Sequence, residues 1–161
     1  TDTHQFMLLT RKLKINRLGA YRMAGAPYAR RLAPEAVATA LNAPSESGTP
    51  AMIFIGNMGC IQIFSGSIGP IKPMGPWLNV LDSGFHLHLR SDRFAAIWVV
   101  RKPTKNGDIF SIEVFDEHDQ QIILINGDRR GGDVNERVSR WDAMVGALPR
   151  ARELEEMEVA Q

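Results

Sequence analysis

Short links between alternating segments constrain this chain more than any other feature. From Gly56 to Thr104 it reads GNMGCIQIFSGSIGPIKPMGPWLNVLDSGFHLHLRSDRFAAIWVVRKPT, with glycine or proline at most reversals. Phe85-His86-Leu87-His88-Leu89-Arg90 places apolar side chains on one face and polar ones on the other, the period-two signature of a half-buried strand. The links Asp82-Ser83-Gly84, Ser91-Asp92-Arg93 and Asn106-Gly107-Asp108 are far shorter than the crossover that joins parallel neighbours. An antiparallel meander of about seven strands is expected, at Ala51–Ile55, Cys60–Phe64, Trp77–Leu81, Phe85–Arg90, Phe94–Arg101, Ile109–Phe115 and Gln121–Asn126.

Before this meander the pattern is helical. Asp2 or Thr3 can cap a first helix that turns Phe6, Met7, Leu9 and Leu13 inward. A second helix is expected from Arg17 to Ala24, stopped by Gly25 with Pro27 beyond it. A third runs from Pro34, suited to a first helical position, to Asn42, and Ala43–Pro50 reads as a polar loop. After the Arg129-Arg130-Gly131-Gly132 turn, Asp133 can cap a last helix through Leu148, ended by Pro149. N-terminal helices, a meander and a C-terminal helix make an α+β fold. Residues 1–148 are expected to form a single domain, and 149–161 an acidic tail.

Composition excludes more than it suggests. A chain of 161 residues supports one domain with a sizeable core. A net charge of +1, without a basic run, gives no pull towards nucleic acid, and Arg129 with Arg130 does not make a patch. No apolar run reaches the roughly 20 residues a membrane helix needs. The lone Cys60 allows no internal disulfide, suits a reducing compartment and reads as a small buried apolar residue. The Gly131 turn lacks phosphate-loop spacing, and no acidic pair can be set across a cleft. His86 and His88 share a strand face, but a zinc site needs a third and usually a fourth ligand; His118 is far off in sequence.

Four runs exceed what strand physics requires: GCIQIFSG, GPWLNVLD, FHLHLR and WVVRKPT. In this order and spacing they resemble the HemS/ChuS/PhuS family of cytoplasmic haem-utilisation proteins, from Thr1 to about Leu148. That family is built from two tandem copies of one α+β unit. The likeness is to the second copy, which opens on an Asp-x-His segment matched here by Asp2-Thr3-His4. The resemblance implies that the first copy is absent from this chain. It departs at Ile123 and Leu124, where relatives carry polar or aromatic residues, and at His86, usually asparagine; His88 matches.

What the resemblance implies is haem as cofactor, with His4 as the proximal axial ligand to iron. A first-turn histidine suits this, since the positive end of the helix dipole favours the neutral, metal-binding imidazole. Arg17, Lys102 and Arg129 fall where the family places basic contacts to haem, and Arg22 and Arg101 are their neighbours. Met52 and Phe54 are candidates for pocket wall, with plain core packing as the alternative. If His4 is not the ligand, His86, His88, Tyr21 and Tyr28 are the remaining donors. Three roles follow. One is haem binding and trafficking, accepting imported haem and handing it to a degrading enzyme such as a haem oxygenase. Another is haem degradation by the chain itself, for which no flavin or nicotinamide motif is present. The last is a structural half that docks on its sister copy or on a second copy of itself.

Overall fold

The computed structural model describes residues 8–10, 12–57 and 59–151. His4, Phe6, Met7 and the tail from 152 onward lie outside the described residues. Residues 8–10 and 12 are helical. Leu9 and Leu13, expected on a buried side, are exposed. Helix α1 (Arg17–Ala24) begins where the Asn16 side chain accepts the Gly19 N–H at 2.6 Å, and ends at Gly25 with φ 55°. A residue with a Cβ is strained at that angle, which is why glycine stands there.

Helix α2 (Ala36–Ser47) overruns its expected end at Asn42 and converts most of the predicted Ala43–Pro50 loop into helix. Pro44 lies inside it, at a position that ordinarily costs about 3 kcal/mol. The offset is burial: Ala36, Val37, Ala40, Leu41 and Pro44 form one helical stripe facing the core. Ser47 Oγ donates to the Ala43 carbonyl at 2.8 Å, and Gly48 closes the helix in the left-handed region. Helix α3 (Val134–Ala147) is capped as expected by Asp133, whose carboxylate accepts the Asn135 and Glu136 N–H groups.

Among the described residues, nine strands follow the meander plan but divide between two sheets. They are β1 (Ala29–Arg31), β2 (Ala51–Gly56), β3 (Ile61–Gly66), β4 (Ile71–Met74), β5 (Trp77–Leu81), β6 (His86–Arg90), β7 (Ala96–Lys102), β8 (Ile109–Phe115) and β9 (Gln121–Gly127). The six-stranded sheet has the order β1-β7-β8-β9-β2-β3 and the three-stranded sheet β4-β5-β6. Each of the strand pairs is antiparallel. Two strands escape sequence reading: β1 is three residues long with two arginines, and β4 carries Pro73, which removes a ladder donor. Residues Ser91–Arg93 form a 3₁₀ turn, so β7 starts at Ala96 rather than Phe94.

One face of the large sheet is packed across β7, β8, β9 and β2. Ala51, Ile53, Ile97, Val99, Ile112, Val114, Ile123 and Ile125 meet α2, α3 and the inner face of the small sheet, Val80, Leu87 and Leu89. Trp141 of α3 sits so close to β9 that a Cβ on Gly127 would come within 2.7 Å of its ring. Its indole N–H donates to the Phe110 carbonyl at 2.8 Å. Past α3, an isolated bridge pairs Arg150 with Leu32, and the Ala151 N–H donates to the Arg31 carbonyl, so the start of the tail lies along the β1 edge. Cys60 is exposed rather than buried. It precedes β3 in the β2–β3 turn, where its N–H donates to Asn57 Oδ1 at 3.0 Å.

Candidate functional site

The opposite face of the large sheet is only half covered. Register puts Trp98, Glu113, Leu124, Phe54 and Ile63 in one cross-strand row, and Val100, Ser111, Asn126, Met52 and Ser65 in the next. Residues paired across an antiparallel ladder share a face. Over β1, β7 and β8 this face is roofed by α1, through Leu18 and Tyr21 packed on Ala29, Trp98, Val100 and Phe115. The Tyr21 ring lies 5.9 Å from that of Trp98 and 6.3 Å from that of Phe115. Over β9, β2 and β3 no helix of the described residues continues the roof. Ile61 and Ile63 are 61% and 56% exposed, and Met52, Phe54, Leu124, Asn126 and Ser65 are half-buried.

At the seam between the two halves is Glu113, fully buried in the middle of β8. Its carboxylate accepts the Tyr21 hydroxyl at 2.6 Å, Lys102 Nζ at 2.5 Å and the Ser111 hydroxyl at 3.0 Å, with Arg17 Nη1 at 3.5 Å. Arg17 also donates to Gln121 Oε1 at 2.5 Å. Burial alone would push the Glu113 carboxyl up. The charge and hydrogen bond of Lys102, then Tyr21 and Arg17, outweigh it and hold the group ionised, below its ordinary range. Burial, reinforced by the neighbouring carboxylate, drives the Tyr21 hydroxyl far above the ordinary phenol range, so it stays a donor.

The six residues singled out from sequence therefore fall into distinct places. Arg17 and Lys102, distant in sequence, meet at Glu113 with side chains 30% and 21% exposed. Met52 and Phe54 lie on the same sheet face, on the open side of that cluster. Arg129 does not join them: its guanidinium donates to the Asp108 and Asn106 carbonyls in the β7–β8 turn. His4 lies outside the described residues. The neighbours fare differently. Arg101 pairs with Asp108 at 2.6 Å and stacks over Tyr28, and Arg22 is exposed near the end of α1.

Magnitudes decide how Lys102 can act. Stripping one partner from a buried ion pair costs about 3–5 kcal/mol, whereas an exposed ion pair returns about 0–1 kcal/mol. An outside anion therefore does not pull Lys102 away from Glu113. It has no need to, because an ammonium carries three donors and Glu113 takes one. The arrangement offers a flat apolar surface bordered by two anchored cations, suited to a broad apolar ligand with carboxylates at its edge. Among the described residues Asn126 Oδ1, between Met52 and Ser111, is buried without a hydrogen-bond partner. Two clefts of about 550 and 510 Å³ contain none of the five described residues among the six.

The histidine pair has a structural reading. His88 Nδ1 lies 2.7 Å from Oδ1 of the buried Asn79, whose amide donates to the Lys72 carbonyl at 3.0 Å. The His86 and His88 rings are 6.4 Å apart, and no group of three or more metal-ligating side chains occurs among the described residues. The GPWLNVLD run is explained in the same way: Asn79 ties β4, β5 and β6 together, and Asp82 packs against Gly69.

Sequence reading missed Glu113, Tyr21 as its donor, and Ser111. The signal was present in Ile109-Phe110-Ser111-Ile112-Glu113-Val114-Phe115, where a carboxylate stands in a strand otherwise apolar except for Ser111. A charge at such a position demands a partner.

Comparison with known proteins identifies the family and the fold. Residues 14–148 match the model of the haemin-degrading HemS/ChuX domain. The chain is 37% identical over 132 residues to the hemin transport protein HemS of Yersinia enterocolitica, covering 82% of this chain and 38% of HemS. Apo-PhuS, a heme-binding protein from Pseudomonas aeruginosa, superposes with a TM-score of 0.87 at 36% identity, covering 94% of this chain and 44% of PhuS. ChuS, an E. coli heme oxygenase, does so with a TM-score of 0.84 at 34% identity, covering 92% of this chain and 45% of ChuS. The chain thus spans less than half the length of these relatives. No helix among the described residues is long and apolar enough to cross a membrane. The match over 135 consecutive positions, 14 to 148, together with these likenesses, means that the chain belongs to the haemin-degrading HemS/ChuX domain family.

Proposed function

We propose that this chain is a haem-binding unit of cytoplasmic haem-iron utilisation, which takes up haem and passes it on. The observation that carries the reading is the open half-face of the large sheet, apolar at Phe54, Ile61, Ile63 and Leu124 and bordered by Lys102 and Arg17. A porphyrin bearing two propionates has the matching shape and charge. Met52 and Phe54 then serve as wall, and Lys102 and Arg17 as carboxylate donors. Arg129 would have to leave the β7–β8 turn carbonyls to take part. His4 is the proposed axial ligand. Haem iron, when bound, supplies a coordination position that one neutral imidazole fills on one side only, which suits transfer more than storage. The relatives' names, a hemin transport protein and a heme-binding protein, point the same way. Residues 1–148 are proposed as one such unit, the second of two in a longer protein, with its sister unit as a docking partner.

A haem titration followed by absorption, comparing the chain with His4→Ala, tests the reading. A Soret band that forms with the parent chain and is shifted or lost in the variant supports it. An unchanged band removes His4 from the ligand role. The likeness to ChuS, a heme oxygenase, favours a second reading, haem degradation. Adding reductant and then oxygen to the loaded chain separates the two, since ring-opened product appears only if the chain degrades haem.

A further inference from the structure

We infer that Glu113 is a positioning residue, a buried counter-charge that holds Lys102 and Arg17 at the border of the open half-face so that it favours ligands with edge carboxylates. The inference rests on the haem-binding reading for its ligand, but its geometry stands on the structure. A lysine side chain is among the most mobile of side chains, and ordering it at a rim costs entropy each time a ligand binds. Here that ordering precedes any ligand. Lys102 sits 2.5 Å from a carboxylate with no exposure to water, and Arg17 reaches the same carboxylate at 3.5 Å from another element.

The carboxylate is itself fixed. Tyr21 and Ser111 donate to it from α1 and β8, so its two oxygens have neutral donors beside the two cations. Glu113 also faces Trp98 across the β7–β8 ladder and Leu124 across β8–β9. No other acidic side chain hydrogen-bonds into the cluster among the described residues. Within the cluster one carboxylate stands between an ammonium and a guanidinium. Removing that carboxylate would raise the local positive charge yet free Lys102 to swing into water, while Arg17 keeps its bond to Gln121. Simple electrostatics then predicts tighter binding of an anionic ligand, whereas positioning predicts weaker binding.

The opposite signs make the test decisive. Glu113→Gln keeps the shape and an acceptor for Tyr21 while removing the charge. Binding of haem and of haem dimethyl ester, whose propionates are blocked, is measured with both chains. Affinity of the variant for haem is expected to fall about tenfold, the size of one lost charge-assisted contact, with affinity for the ester unchanged. An equal fall for both ligands would make the role merely structural, and unchanged or tighter haem binding would overturn the inference. A second measurement needs no porphyrin. In the parent chain, amine acetylation read by mass spectrometry should label Lys102 more slowly than the exposed Lys72 and Lys105, and in Glu113→Gln the protection should vanish. Lys102 labelled as fast as those two in the parent chain would refute positioning, even if the variant does not fold. If the parent chain binds neither porphyrin while Lys102 is protected, the haem reading fails and the positioning of Lys102 stands.

Discussion

The two faces of the six-stranded sheet are built on different principles. On one, aliphatic side chains from four strands, two helices that add Trp141, and a second sheet exclude water, and no charge is present among the buried residues of that cluster. On the other, a small aromatic cluster under α1 gives way to a buried carboxylate, its two cations and then a half-exposed apolar surface. The first face leaves little surface free beyond its β3 edge. The second spends stability on a buried charge and leaves apolar area uncovered, which a fold does when the area has a use.

The largest effect should come from the packed face. Trp141→Ala removes the side chain that seals α3 against Gly127 and should cost about 3–5 kcal/mol in urea unfolding. A loss below about 1 kcal/mol would mean that α3 is not part of the core.

On the other face, Lys102→Met deprives a fully buried carboxylate of its nearest cation. The remaining donors, Tyr21, Ser111 and Arg17, soften the loss to about 2–3 kcal/mol. Tyr21→Phe removes one hydrogen bond and should cost about 1–2 kcal/mol.

The sign of the pH dependence follows from the same cluster. The folded-state pKa of Glu113 is depressed, so its contribution is present above the ordinary carboxylate value of about 4.3 and is lost as pH falls through the lower folded value. Tm plotted between pH 7 and 3 should fall less steeply for Glu113→Gln than for the parent chain. Parallel curves would show that the carboxylate is not held ionised. The smallest effect is expected at the open surface. Ile63→Ser should change stability by no more than about 0.5 kcal/mol while weakening haem binding. A cooperative loss of folding there would show that the half-face is core.

Much of the fold was legible because alternation and short links leave few choices. Trp77–Leu81 and Ile109–Phe115 have the bounds expected of them. The errors share a cause, tertiary context overriding local rules. Pro44 reads as a breaker but is carried by the buried stripe of α2. Pro73 hides β4, and β1 is too short to show a period. Cys60 is an apolar-looking residue spent on a turn. Of the candidate residues, Lys102 and Arg17 were singled out through family likeness, and Met52 and Phe54 because they share one face of a strand. The chemistry that joins the two cations lay in a residue that likeness did not flag. A single glutamate in an apolar strand announces that a partner exists, but only the register of β7, β8 and α1 says which.

Diamagnetic zinc protoporphyrin, added to methyl-labelled protein and followed by NMR, tests most directly where the ligand lies, because porphyrin ring currents displace only nearby resonances. The Met52, Ile61, Ile63 and Leu124 methyls should shift strongly while Ile112, Ile123 and Ile125, on the packed face, stay in place. Shifts confined to the β4–β6 sheet, or to the clefts beside β1 and beside β6, with the four open-face residues unmoved, would contradict the account.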